Sequence, residues 1–114
     1  RLLTRNVEDI RRQAMAIQPD VSRALESSYI VSVDDCLSQI GSGSLPVETL
    51  PSAAIKIQPR SGDDGELREL AERLRQLPMP VIGRLHKGAL WLDLRCLETH
   101  QETTFTSQMD KLAQ

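Results

Sequence analysis

The sequence predicts an α+β fold, a small and mostly antiparallel sheet covered by helices as a two-layer sandwich. Three observations lead there. Apolar residues recur at steps of three and four in two long segments, they alternate in four short ones, and a two-residue Lys87-Gly88 turn joins the last two alternating runs. The predicted order is helix, strand, strand, helix, strand, strand, helix.

The first helix is expected from about Asn6 to Glu26. Val7, Ile10, Ala14, Ile17, Val21 and Ala24 fall on one stripe, Thr4 or Asn6 can cap it, and Glu8 and Asp9 complement its positive end. Pro19 lacks an N–H and clashes with the preceding turn, so a kink is expected there; the stripe keeps its phase across it, which favours one helix. Tyr29 to Asp34 alternates as a strand, and Ala53 to Gln58 does so again before Pro59. Ser61 to Gly65 reads as a turn and helix cap. Glu66 to Leu77 follows as a second amphipathic helix with Leu67, Leu70, Ala71, Leu74 and Leu77 inward. Asp64–Arg68 and Glu69–Arg73 have ion-pair spacing along it.

Pro78-Met79-Pro80 stops that helix. Val81–His86 and Ala89–Arg95 then form a hairpin in which Leu85 faces Leu90, Gly83 lies across from Leu92 and Val81 faces Leu94. Its other face carries Ile82, Arg84, Trp91, Asp93 and Arg95, with Arg84 placed for a cation–π contact to Trp91. A last helix is expected from about Glu98, with Phe105, Met109 and Leu112 as its stripe.

At 114 residues the chain is one domain, large enough for a real core and short for a complete cofactor enzyme. It begins at Arg1 with no Met before Met15, so a fragment or processed product is expected. A net charge of −2 argues against a nucleic-acid module, which is usually basic. Cys36 and Cys96 lack metal-ligand spacing and read as two reduced thiols, with a disulfide left open; no metal site is expected. His86 and His100 read as surface residues, and Lys56, Lys87 and Lys111 lack the setting of a desolvated Schiff-base lysine. Two features could carry chemistry. Gly41-Ser42-Gly43-Ser44 could wrap an anion with backbone N–H groups, or be a structural loop, and it is not a P-loop because no Gly-Lys-Ser/Thr follows. Arg95, planar and on a rigid strand, suits an anion, or else pairs with Asp93. No self-contained enzyme is visible in these residues.

RLLTR (Arg1–Arg5), CLSQIGSGSLPVETLPSAAI (Cys36–Ile55) and PVIGRLHKGALWLDLRCLE (Pro80–Glu98) closely resemble the C-terminal part of the bacterial selenocysteine synthases, the L-seryl-tRNA(Sec) selenium transferases. The resemblance runs from Arg1 to about Glu98. Residues 100–114 depart from the acidic, Phe/Leu-rich helix usual there.

The resemblance implies the small C-terminal domain (residues 1–114) of a pyridoxal-phosphate enzyme of the aspartate-aminotransferase type. Such an enzyme converts seryl-tRNA(Sec) to selenocysteyl-tRNA(Sec) with selenophosphate as donor, as a cytoplasmic, ring-shaped homo-oligomer, a decamer. The cofactor lysine would lie upstream, so the fragment alone would be inactive. By the same analogy Gly41, Ser42, Gly43 and Ser44 would face the cofactor or aminoacyl group, and Arg95 would contact an anion, such as the substrate end. The rival readings are a related enzyme acting with the same cofactor on a small amino substrate, and a non-catalytic protein- or RNA-interaction module.

Overall fold

Asn6 starts the first helix as expected: in the computed structural model, which describes residues 6–40 and 48–113, its side chain accepts the Glu8 N–H at 2.7 Å. Helix α1 runs unbroken from Val7 to Leu25 with Pro19 inside it, and the stripe that includes Ile10, Ala14, Ile17 and Val21 is buried. Strand β1 (Tyr29–Ile40) pairs antiparallel with β2 (Glu48–Pro59), from Tyr29 opposite Pro59 to Ile40 opposite Glu48. Both strands are longer than the alternation alone implied. Asp34, Asp35 and Ser38 are poor strand formers in isolation, and the paired backbone overrides that preference.

Helix α2 (Asp64–Arg75) is capped by Asp63, whose carboxylate accepts the Gly65 N–H at 2.8 Å. Strands β3 (Arg84–His86) and β4 (Ala89–Asp93) close over Lys87 and Gly88, both at positive φ (52° and 74°), as a two-residue hairpin requires. Leu85 pairs with Leu90 and Arg84 with Trp91, as the sequence implies. The hairpin is shorter than expected. The Val81 N–H bonds the Leu74 carbonyl at 3.0 Å and so belongs to the helix layer rather than opposite Leu94. Gly83 is required by packing, since a Cβ there would lie 2.7 Å from Leu90 Cδ1 and 2.9 Å from Leu92 Cδ2. The chain ends in helix α3 (Glu102–Gln108), entered by a 3-10 turn at Thr99–Gln101 and continued by another at Met109–Ala113. Arg73 reaches this last segment and donates to the Leu112 carbonyl at 2.7 Å.

The sheet order is β1-β2-β4-β3, all antiparallel. Val31, Ile55, Ile57, Leu90 and Leu92 face the helices and share one core with Ile10, Ile17, Leu70, Leu74, Phe105 and Met109. This is the expected two-layer α+β sandwich. Among the described residues no helix covers the other face of the sheet, so its side chains are available for polar arrangements. At the outer edge, Gln18 Nε2 donates to the Val31 carbonyl and Asp34 accepts the Asp35 N–H. Those bonds blunt an otherwise sticky strand edge.

Candidate functional site

The helix-free face gathers its polar groups where β1 and β2 run toward residues 41–47. Asp93 ends β4, and its Oδ1 accepts the N–H of Arg95 two residues on at 3.0 Å, a local bond that turns the chain. The same oxygen accepts from Ser52 Oγ at 2.7 Å, and Oδ2 accepts from Ser38 Oγ. Arg95, only 5% exposed, is turned inward: Nε donates to Ser38 Oγ at 3.1 Å and a terminal nitrogen donates to the Pro51 carbonyl.

Register explains this placement. Beyond Ala54, which pairs with Asp93, β2 has lost its β4 neighbour. Leu94 N–H bonds the Ala53 carbonyl at 3.3 Å, and the Arg95 guanidinium meets the next carbonyl facing that way, Pro51. A side chain thus continues the ladder where the strand stops. Pro51 is tolerated there because no strand needs its missing N–H.

Further along this face Lys56 sits opposite Trp91, with Nζ 5.0 Å from the ring centroid and 3.6 Å from Asp34. The cation over Trp91 is therefore Lys56, not Arg84. The central strand places its lysine against the ring, where it is also held by a carboxylate. Arg84 instead lines a small cavity of about 160 Å³ with Cys36, Leu37, Ile82, Gly83, Trp91 and Asp93.

Cys36 and Cys96 are both free, Cys36 half-buried and Cys96 exposed. Burial, and secondarily the Asp93 carboxylate, push the Cys36 thiol up to about 11. Iodoacetamide at pH 8 should therefore modify Cys36 much more slowly than Cys96, with the gap narrowing toward pH 11; equal rates at pH 8 would contradict the burial. Because the folded state holds this proton more tightly, the linked stability is complete below the thiol's ordinary value of 9.0. It is lost as pH rises through about 11.

Of the residues singled out in the sequence, Arg95 lies in the polar cluster, while Gly41, Ser42, Gly43 and Ser44 lie outside the described residues. Asp93, Ser38 and Ser52 were not singled out as candidates. The sequence points to Asp93 only as a pairing partner of Arg95, two residues on, and the serines look like ordinary surface residues until the strand register is known. The cluster joins the two long segments that carried the family resemblance, through Ser38 and Ser52 on one side and Asp93 and Arg95 on the other. Among the described residues no group of His, Cys, Asp and Glu is placed to hold a metal ion, and no helix is long and apolar enough to cross a membrane.

A model of the L-seryl-tRNA selenium transferase family matches residues 1–98, the same span over which the motifs run. The chain belongs to this family. It is 55% identical, over 109 residues and 96% of its length, to the L-seryl-tRNA(Sec) selenium transferase of Klebsiella pneumoniae. It is 54% identical over 101 residues, 89% of its length, to proteins of the same name from Escherichia coli and Shigella boydii. The chain spans only 22–23% of the length of these selenium transferases, so it corresponds to a fragment of such a protein.

Proposed function

We propose that the chain is the C-terminal domain of an enzyme that converts seryl-tRNA(Sec) to selenocysteyl-tRNA(Sec) with selenophosphate as selenium donor. The observation that carries this reading is 54–55% identity over 89–96% of the chain to selenium transferases. The whole protein is taken to be a cytoplasmic ring of identical subunits. This piece is inactive by itself.

The cofactor that accompanies this reading is pyridoxal phosphate, which supplies an electron sink for chemistry at the amino acid. None of this chain's lysines is set to hold that group covalently. Of its three lysines, Lys56 is stacked on Trp91 and paired with Asp34, Lys87 lies in the hairpin turn, and Lys111 is exposed on the closing 3-10 turn. The cofactor lysine is assigned to the rest of the polypeptide.

Within this reading Gly41, Ser42, Gly43 and Ser44 face the cofactor or aminoacyl group. What supports this reading is that Ser38 and Ser52, which flank that segment in sequence, are gathered with Asp93 and Arg95 into one polar cluster. Arg95 serves the anionic end of the substrate as a buried positive charge beneath the site, a role its engagement with Ser38 and Pro51 favours over direct contact.

The test uses the natural full-length protein carrying this sequence, with radiolabelled selenophosphate and seryl-tRNA(Sec). Selenium transfer to the charged tRNA(Sec), and none to seryl-tRNA(Ser) or to a free amino substrate, is the expected result. Turnover of a small amino substrate without any tRNA requirement would replace this reading with the related lyase or transferase.

A further inference from the structure

Five polar side chains are buried among the described residues, and three of them, Ser38, Ser52 and Arg95, belong to the cluster around Asp93. That is a costly way to join strands, because buried polar groups hold only when every partner is in place and an apolar set of similar volume is often as stable. What such a cluster supplies is direction. A guanidinium can only donate and a carboxylate can only accept, so the Ser38 hydroxyl, receiving Arg95 Nε–H, must give its own proton to Asp93. The order Arg95 to Ser38 to Asp93, with Ser52 donating from the second strand, ties β1 and β2 to the same carboxylate at one end of their backbone ladder. A slip of β1 by one residue would turn Ser38 to the opposite face of the sheet, away from Asp93 and Arg95.

We propose that Asp93 is a positioning residue of the transferase. Its carboxylate locks β1 against β2 through Ser38 and Ser52 and holds Arg95 in line, so that the strand ends are presented to the reaction in a single geometry. The inference rests on the reading of the chain as part of a selenium transferase. Asp93 acts through its neighbours and not on the substrate.

The test compares full-length wild type with Asp93→Asn, which keeps the shape but replaces one acceptor oxygen with a donor. Amide exchange at residues 36–38 and at Leu50 and Ser52 should accelerate at least about tenfold while the helices stay protected. In the same protein kcat should fall by about 10²-fold with KM for seryl-tRNA(Sec) nearly unchanged, the loss expected of a misplaced reacting group. Unchanged exchange, unchanged kcat, or a raised KM at constant kcat would each overturn the proposal. If Asp93→Asn fails to fold, Ser52→Ala, which removes a single donor, must show the same pattern more weakly or the proposal falls. If wild type transfers no selenium, the functional reading fails on its own. The exchange comparison then decides the strand lock by itself: faster exchange upholds it and unchanged exchange ends it.

Discussion

Replacing Ile55 with alanine should lower the unfolding free energy of this domain by about 2–5 kcal/mol, enough to consume much of a typical domain's stability. Ile55 is fully buried in β2, between Val33 on β1 and Leu92 on β4, and its side chain points into the helix layer. The surrounding strands are fixed by their hydrogen bonds, so the site cannot collapse around the missing atoms and a cavity adds to the lost transfer free energy. The thermal midpoint should drop by roughly 10 °C or more. Ile30→Ala is the control, because Ile30 is 48% exposed on the opposite face of the sheet and its truncation should change stability by no more than about 0.5 kcal/mol. A larger loss at Ile30 than at Ile55 in urea titration would show that the faces have been assigned the wrong way round, and equal losses would contradict the difference in burial.

Gln108→Ala should cost about 2–4 kcal/mol, although it removes a polar residue. The segment Pro78-Met79-Pro80 belongs to no helix or strand, and of its three residues Met79 alone has a backbone N–H. Gln108, buried in the last helix, accepts that N–H at 3.0 Å and donates to the Met79 carbonyl at 2.8 Å. One side chain thereby replaces the strand partner that this stretch lacks. Truncation to alanine leaves both backbone groups without partners, and each carries its own desolvation cost. The change should appear as a lower urea midpoint with an unchanged slope. A variant as stable as wild type would mean that water replaces both bonds at no cost.

The helices were legible in the sequence because their cores are drawn from within one segment. A stripe such as Leu67, Leu70, Ala71 and Leu74 needs no knowledge of what covers it, and the buried faces of α1 and α2 follow it. The β3–β4 register was legible for a similar local reason, since a two-residue turn leaves one pairing. The strand lengths were not. Asp34, Asp35 and Ser38 resemble loop residues, and Pro51 resembles a strand stop, until β1 and β2 are paired along their whole length. The cation over Trp91 was misassigned for the same reason: a hairpin brings Arg84 to mind, but the ring's neighbour on its other side is Lys56, distant in sequence.

What the sequence determined by itself is the order of the elements, the two-layer α+β class and, through its motifs, membership of the selenium transferase family. All three depend on local periodicity or on contiguous residues. The tertiary structure alone decided where Arg95 goes. From sequence it is a cation at the end of a strand, free to meet a ligand or its neighbour Asp93. In the fold, β4 stops short of Pro51, and the guanidinium turns inward to take the open carbonyl and the Ser38 hydroxyl. That outcome depends on two strands that meet Arg95 from some forty to sixty residues away. Hydrogen bonds between such distant groups are set by register and depth of burial, which a linear pattern does not carry.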